Sequence, residues 1–469
     1  MVFTSTVFFF AFMPIAFLSY YLVPSRLRTL PIVLLSLFFY AWGEPRLVIL
    51  IMVSAVINFT IGKALVHATS QRRALLVLGL VLNLLPLVIL KYTHFILMTL
   101  GQTQAANRVH LPLPIGVSFY TFMAMGYLID IYRRRDDGCD HLLRFTAYLT
   151  MFPHLVAGPI VRWEHIGPQL RNPKFDGGLF SYGAVRVTTG LAKKTLIADQ
   201  LSVTVDQLFA LSSSPSTATA WLSMLLYSLQ IYFDFSAYSD IAIGLAAMLG
   251  IRFHENFNFP YLATSASDFW RRWHISLGSW FRDYIYIPMG GSRVSRAKLW
   301  RNLMVVWALT GLWHGAAWTF IDWGLYYGIL IGLERTVYGA ALAKLPAFIQ
   351  HGYGLIVAGV GWVLFRSTSL AQAQNIYSKL IPSGHAPLTD PWTSFSVHQN
   401  WVLIVVGCAL AAGIARPIMQ GLENTLTNGA ATWTWPRALI SALVLVALLV
   451  IATSFLVSVS YKPFIYFRF

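Results

Sequence analysis

The histidine at position 314 has the surroundings best suited to chemistry. It lies in the segment 309–318, which is otherwise apolar with the pattern of a helix, and Gly311 and Gly315 flank it. An ionisable side chain in such surroundings is costly and therefore a functional candidate by default. Its imidazole would suit a general base that takes a proton from a hydroxyl group, and the glycines would let another backbone or a thin substrate approach. The alternative is a structural histidine that hydrogen-bonds between helices.

A second candidate is His274, in a segment of mixed polarity and helical character. Taken alone, it would equally suit an interfacial histidine without a special role. Arg271 and Arg272 precede it, and guanidinium groups bind phosphate bidentately, so both are candidates for holding the phosphates of a bound donor molecule. The alternative is that they pair with Asp268, which lies three and four residues before them on the same helix face.

Other chemistry finds less support. Asp234 and Asp240 lie in a long apolar stretch but are six residues apart, so they need not share a helix face. We expect structural roles for both, with partners among the arginines of residues 271–282. The sequence has no GxSxG, P-loop or HExxH motif, which argues against hydrolase and ATPase classes. Two isolated cysteines, Cys139 and Cys408, favour neither a disulfide framework nor a metal site, and no metal is expected.

The composition places these candidates in a membrane. Of the 469 residues, 57% are hydrophobic and 11% are charged, against about 25% charged in soluble domains. A membrane-spanning helix needs about 20 mostly apolar residues, and such runs recur along the chain. The formal charge of +16 is better explained by cation retention in cytoplasmic loops than by nucleic-acid binding.

Apolar runs divided by charge predict the transmembrane segments. The expected spans are 3–23, 30–42, 47–68, 74–98, 113–131, 302–321, 323–337, 353–366, 401–420 and 437–460. The first reads as a retained span rather than a cleaved signal. Cations at 26 and 28, at 72 and 73, and at 133–135 place those loops in the cytoplasm and the N-terminus outside.

The remaining segments are less regular. Residues 142–161 contain Pro153, Gly158 and Pro159 and predict a broken or re-entrant segment. Residues 180–210 predict an interfacial amphipathic helix, and the aromatic and basic region 252–301 should lie at the membrane boundary. Residues 367–400 are expected to form an extramembrane loop. Neither an internal repeat nor a separate soluble domain is evident, so residues 1–469 are expected to form one membrane domain.

Several segments together resemble the membrane-bound O-acyltransferases, especially their alginate O-acetyltransferase branch. The resemblance is carried by 269–277 (FWRRWHISL), 282–288 (RDYIYIP) and 311–315 (GLWHG), and it extends to 1–3 (MVF), 113–120 (LPIGVSFY), 152–159 (FPHLVAGP), 231–236 (IYFDFS) and 463–469 (PFIYFRF). It therefore covers nearly the whole chain, and the pair of histidines forty residues apart is its most specific feature.

The resemblance implies a fold and an activity. The fold would be an all-α polytopic membrane protein, a ring of tilted helices around a thin centre with a tunnel that meets both faces at the histidine. His314 would be the essential residue and His274 its polar companion. No cofactor would be bound, and acetyl-CoA would donate an acetyl group, with Arg271 and Arg272 as candidates for its phosphates. The protein would lie in the bacterial inner membrane and act with periplasmic acetyltransferase partners on a polysaccharide.

The resemblance leaves the polymer open. Alginate or bacterial cellulose is the first expectation, and peptidoglycan is an alternative. A protein of another class, a proton-coupled transporter or polysaccharide-export channel that uses buried His and Asp as a relay, would be favoured by inverted repeats. A scaffold that only recruits acetylation proteins is the third possibility.

Overall fold

The computed structural model describes residues 1–109, 111–134, 137–171, 173–211, 215–382, 387–418, 420–421, 435–458 and 464. Regular structure in these ranges is entirely helical. The resembling segment 463–469, apart from Phe464, and Arg135 of the basic loop lie outside the described residues.

The first half of the chain forms helices that differ widely in length. They are α1 (Met13–Leu22), α2 (Thr29–Gly43), α3 (Val48–His67), α4 (Arg72–Leu87), α5 (Thr93–Thr99), α6 (Thr103–Arg108), α7 (Val117–Tyr132), α8 (Leu142–Thr150), α9 (Trp163–Arg171), α10 (Gly177–Ala192) and α11 (Asp199–Phe209). Short π-helical turns at Phe8–Phe12, Val88–Tyr92 and Lys193–Ala198 continue or join some of them, and a 3₁₀ turn covers Ser25–Leu27.

The second half begins with the longest helix. Its helices are α12 (Thr217–Met248), α13 (Ala266–Arg272), α14 (Ile275–Phe281), α15 (Arg296–His314), α16 (Trp318–Leu333), α17 (Val337–Leu342), α18 (Ala347–Arg366), α19 (Leu370–Leu380), α20 (Pro391–Ala411) and α21 (Trp435–Ser458). A 3₁₀ turn covers Pro260–Leu262, and a π-helical turn covers Arg282–Tyr286.

Five helical stretches of the described residues are long and apolar enough to cross a membrane. They are Val48–His67, Arg72–Thr99, Ala347–Arg366, Pro391–Ala411 and Leu439–Ser458, with Phe8–Leu22 as a shorter apolar helix. The expectation of an all-α protein with several membrane spans is therefore confirmed. The tunnel between the two faces stays a prediction.

Helix α12 joins the two halves of the hydrophobic core. Its first half, from Ala220 to Phe235, packs in one cluster, and its second half, from Tyr238 to Met248, packs in the other. Helix α10 lies close along it because glycines replace side chains at the contact. A Cβ added at Gly183 would come within 2.5 Å of the Gly244 carbonyl oxygen, and one added at Gly244 would meet the Gly183 oxygen at 2.6 Å. Small residues allow such close backbone packing between membrane helices.

The expected interfacial helix at 180–210 is wrong, because this region is packed into the core. Lys194 is only 1% exposed and forms ion pairs with Asp234 at 2.6 Å and Asp199 at 2.8 Å. Arg186 and Lys193 both pair with Asp240. The cations that suggested a polar surface therefore neutralise carboxylates on and beside α12.

These ion pairs also correct the expected partners of Asp234 and Asp240. Neither partner comes from the arginines at 271–282. Helix α10 and the turn Lys193–Ala198 pack along α12, so their cations reach both carboxylates. The expectation that the two aspartates have structural partners, rather than forming a catalytic pair, agrees with this geometry.

Two further segments test the loop predictions. The broken character expected at 142–161 is confirmed, since α8 ends at Thr150 and turns follow through the proline and glycine positions.

The expected loop at 367–400 is wrong because α19 and the first half of α20 lie there. Both helices have side-chain caps: Ser369 accepts from the Gln372 N–H, and Asp390 accepts from the Thr393 N–H.

Candidate active site

The predicted single span at 302–321 is broken immediately after His314. Helix α15 ends at this residue, Gly315–Ala317 forms a short linker, and α16 begins at Trp318. The two helices approach each other through glycines. A Cβ at Gly311 would lie 2.1 Å from the Phe320 carbonyl oxygen, and one at Gly324 would lie 2.1 Å from the Trp307 oxygen. The space beside Gly311 is thus filled by protein backbone.

Aromatic rings enclose the imidazole of His314. The side chains of Trp313, Trp323 and Phe365 meet it edge to face, with ring centroids 4.9, 4.9 and 5.2 Å away. His314 is 3% exposed. These three aromatic rings restrict its rotation and shield it from water on their sides, and both effects favour a side chain with one defined chemical role.

The end of α15 is capped by another membrane helix. The last carbonyl groups of a helix have no intrahelical partner. Here the Lys91 Nζ donates to the Trp313 oxygen at 2.6 Å and to the His314 oxygen at 3.4 Å, and the Tyr92 hydroxyl donates to the Leu312 oxygen at 2.9 Å. Both donors belong to the π-helical turn Val88–Tyr92, a local irregularity often found at functional sites. The backbone that carries His314 is thereby held in place.

A cavity of about 180 Å³ lies beside His314. Lys91 and Trp313 contribute to its lining, and its remaining walls come from residues 113–119 and Val156. Part of this wall is the resembling segment 113–120, and four separate parts of the sequence meet at the cavity. His274 does not line it.

His274 occupies a junction between helices. Helix α13 ends at Arg272 and α14 begins at Ile275, while His274 itself has the left-handed conformation, with φ 45° and ψ 53°. A side chain other than glycine is uncommon there and is kept only when its surroundings enforce it. The helical character expected for this segment is confirmed by α13 and α14, with His274 itself at their junction. The residue is fully buried in the protein.

One aromatic ring joins the two histidines. The centroid of Trp313 lies 4.9 Å from that of His314 and 5.9 Å from that of His274. Phe235 of α12 meets His274 edge to face at 4.7 Å. The two candidate residues, forty positions apart in the sequence, therefore belong to one buried site.

Hydrogen bonds from the segment before α13 fix His274. Asn256 Oδ1 lies 3.2 Å from His274 Nδ1, and it accepts from the Ser276 N–H at 3.1 Å and the Ser276 hydroxyl at 2.9 Å. The Asn256 backbone oxygen accepts from the Ile275 N–H at 3.0 Å. Helix α14 has no side-chain cap of its own, so Asn256 supplies partners for its first N–H groups.

The two arginines before His274 both bond to Asp268. Arg272 Nε lies 3.0 Å from one carboxylate oxygen, and an Arg271 terminal nitrogen lies 3.4 Å from the other. The Arg271 side chain is 71% exposed and that of Arg272 is 30% exposed. The pairing that the sequence offered as an alternative is therefore present, and binding of donor phosphates stays a prediction.

Sequence reasoning missed three contributors to the site. Lys91 is an ionisable residue in an apolar run, so the rule that singled out His314 would also have found it. Trp313 looks like any core aromatic residue. Asn256 lies outside the helices in a polar segment, and nothing in the local pattern connects it with a histidine 18 residues later.

Comparison with known proteins shows the family to which the chain belongs. The family model described as MBOAT, membrane-bound O-acyltransferase, matches residues 135–360, which include both histidines. A probable alginate O-acetylase of Azotobacter vinelandii is 41% identical over 83% of this chain and 80% of its own length. One from Pseudomonas putida is 37% identical over the full length of both chains. A peptidoglycan O-acetyltransferase of Helicobacter pylori is 33% identical, over 81% of this chain and 80% of its own.

The chain belongs to the membrane-bound O-acyltransferase family. It is accordingly a membrane enzyme that transfers acyl groups to oxygen.

Proposed function

We propose that this protein is a bacterial inner-membrane O-acetyltransferase that moves acetyl groups from a cytoplasmic thioester, acetyl-CoA, toward an exopolysaccharide outside. The observation that carries the proposal is His314, a buried imidazole at the capped end of α15 and on the wall of a cavity. Chemistry at this position would take place away from bulk water, so hydrolysis would compete poorly with transfer.

His314 acts in this proposal as the general base. It takes the proton of an acceptor hydroxyl while the hydroxyl oxygen bonds to the acetyl carbonyl carbon. The carbon–sulfur bond then breaks, and the proton passes from His314 to the departing thiolate. General acid–base catalysis of this kind contributes about 10²- to 10⁴-fold to the rate. His274 orients the reacting groups, and the phosphates of the donor are assigned to Arg271 and Arg272.

The proposal includes an intermediate carrier. The cavity of about 180 Å³ beside His314 has room for an acetyl group and the tip of an acceptor. We assign the first acceptor to a hydroxyl-bearing group that reaches His314 from the outer face, and the final transfer to a periplasmic partner protein.

Alginate is the polymer we propose first. Two of the relatives above, at 41% and 37% identity, carry the name of alginate O-acetylases, and the peptidoglycan enzyme is less similar at 33%. Bacterial cellulose is a further candidate that rests only on the resemblance of the sequence. A proton relay, as in the transporter alternative, gains no support from Asp234 and Asp240, because cations neutralise both.

The test uses the purified protein and acetyl-CoA. Release of the CoA thiol is measured in detergent, first with water alone and then with a periplasmic extract as the source of acceptor. We expect release from wild type once the extract supplies the acceptor, little release with water alone, and none above background from His314→Ala. His398→Ala is the matched control, because this histidine lies exposed on α20, and it should behave as wild type. Equal release from the wild type and the His314 variant would contradict the proposal.

A further inference from the structure

The hydrogen bonds around Asn256 define the protonation of His274. The backbone N–H of Ser276 can only donate, so the amide atom of Asn256 that faces it at 3.1 Å must be the oxygen. The opposite amide orientation would place two donors against each other. The amide nitrogen in the observed orientation donates to the Ser239 hydroxyl at 3.1 Å, which gives it a suitable acceptor.

The same oxygen lies 3.2 Å from His274 Nδ1. Because an amide oxygen only accepts, Nδ1 must carry the proton of this hydrogen bond. The Ser276 hydroxyl does not offer a comparable alternative. It lies 2.9 Å from the Asn256 oxygen but 3.5 Å from Nδ1, so its single proton goes to the Asn256 oxygen.

Neighbouring charges hold Asn256 itself. Its chain neighbour Glu255 and Asp240, the neighbour of Ser239, both form ion pairs with Arg186 of α10. Lys193 also pairs with Asp240, at 2.6 Å. Ion pairs therefore lie next to both residues of the Asn256–Ser239 hydrogen bond. They connect the segment before α13 to α10 and α12. Asn256 is fully buried, so water does not compete for its oxygen.

We propose that Asn256 is a positioning residue that holds His274 in the tautomer protonated at Nδ1, which makes Nε2 a hydrogen-bond acceptor. This inference rests on the proposed function and refines the role of His274 in it. A neutral imidazole with its proton on Nδ1 cannot donate from Nε2 to an oxyanion. It can accept a hydrogen bond from an N–H group, while the proton of the acceptor hydroxyl goes to His314. His274 therefore orients a group that donates a hydrogen bond to Nε2, and it does not polarise the thioester carbonyl.

The first test reads the tautomer directly. Full-length protein is labelled with ¹⁵N-histidine, and the His274 signals are assigned by their loss in His274→Gln. We expect Nδ1 to show the shift of a protonated nitrogen and Nε2 that of an unprotonated one, with Asn256→Leu abolishing this preference. A protonated Nε2 in the neutral wild-type imidazole would overturn the inference. This measurement needs no substrate, so it stands or falls independently of the acetyl-transfer proposal.

The second test separates positioning from simple structural support. Asn256→Asp keeps an acceptor oxygen facing Nδ1, whereas Asn256→Leu removes it at similar volume. The leucine variant should lose at least about tenfold in kcat, as is typical when a partner that orients a functional histidine is removed. Its KM for acetyl-CoA should not change, and the aspartate variant should retain most of the activity.

Ser239→Ala is the matched control, since it removes the partner of the amide nitrogen and leaves the Asn256 oxygen in place. It should stay within about threefold of wild-type kcat, well short of the loss expected for an orienting partner. Equal losses in the aspartate and leucine variants would overturn the positioning role. Full activity of His274→Ala would instead count against the proposed catalytic site while leaving the tautomer result intact.

Discussion

At the scale of single residues, the site depends on side chains that fix His314 as much as on the imidazole. The ammonium group of Lys91 donates to two carbonyl oxygens at the end of α15. A cation is favourable there because helix C-termini carry partial negative charge. It also lines the cavity. Its position connects the second half of the predicted span 74–98 to the residue on which the proposed chemistry depends.

Lys91→Met should therefore affect both stability and activity. Buried carbonyl oxygens would lose their donor, at a cost of about 1–3 kcal/mol. A small displacement of His314 would lower CoA thiol release by about tenfold or more, since reactions of positioned groups are sensitive to misplacement. Lys63→Met is the control, because Lys63 lies on α3 beside Phe59 and does not line the cavity. Similar activity in both variants would count against the capping role.

The arginines before His274 give a prediction about the donor. If guanidinium groups hold its phosphates, Arg271→Ala should raise the KM for acetyl-CoA more than it changes kcat. Arg271 is the sharper choice because its side chain is 71% exposed, whereas Arg272 is the closer partner of Asp268. Titration of acetyl-CoA with a fixed amount of acceptor measures the effect. An unchanged KM would leave pairing with Asp268 as the full account of this residue.

At the scale of helices, the approach of α15 to α16 positions His314. Gly324→Ala would place a methyl group 2.1 Å from the Trp307 carbonyl oxygen, so the helices must separate. Overpacking of this kind costs about 1–3 kcal/mol. We expect a lower apparent Tm in detergent and reduced thiol release. Gly352→Ala on α18 meets nothing within 4 Å and should be neutral or slightly stabilising. Equal Tm values for the two variants would contradict the close approach.

The sequence predicts some of these elements and not others. The length of the apolar run alone identifies spans such as Val48–His67 and Arg72–Thr99, because the thickness of the bilayer sets the length that a span needs. The break after His314 was missed since Gly315–Ala317 is as apolar as its surroundings. Similarly, Lys193 and Lys194 suggested a polar surface. Their partners, Asp240 and Asp234, lie 47 and 40 residues further along the chain, so the local sequence does not show the pairing.

Some features of the site could likewise be predicted from the sequence, and others could not. The type and surroundings of His314 suffice to nominate it, whereas the nomination of His274 depended on the family resemblance. Their common neighbour Trp313 and the left-handed backbone at His274 arise from tertiary packing. The link from Asn256 to His274 depends on two segments lying side by side, a relation without a local sequence signal.

At the scale of the whole molecule, α12 connects two core clusters, and the histidines lie where these clusters meet. Trp313 belongs to one cluster, while Phe235, Trp323 and Phe365 belong to the other. A change in the packing of the two clusters would therefore change the surroundings of both histidines. The orientation of the molecule in the membrane then decides which face supplies donor and which supplies acceptor.

The charge pattern predicts that Arg72 and Arg73 face the cytoplasm. Gln71→Cys and Gln102→Cys mark the two ends of the stretch Arg72–Thr99, in a Cys408→Ala background because Cys408 is exposed while Cys139 is buried. An impermeant maleimide should label position 102 in intact spheroplasts and position 71 only after permeabilisation. The reverse pattern would overturn the predicted orientation and place the acceptor side on the wrong face.

The most direct test of the central claim is polymer-bound acetate in cells. A strain lacking the native gene is complemented with wild type, His314→Ala or His398→Ala at matched membrane levels, and acetate is measured on the isolated exopolysaccharide. We predict that the His314 variant accumulates normally, since removal of a neutral imidazole leaves no buried charge behind, yet yields no acetylated polymer. The His398 variant should match wild type. Wild-type acetate from the His314 variant would contradict the catalytic assignment and return this residue to a structural role between helices.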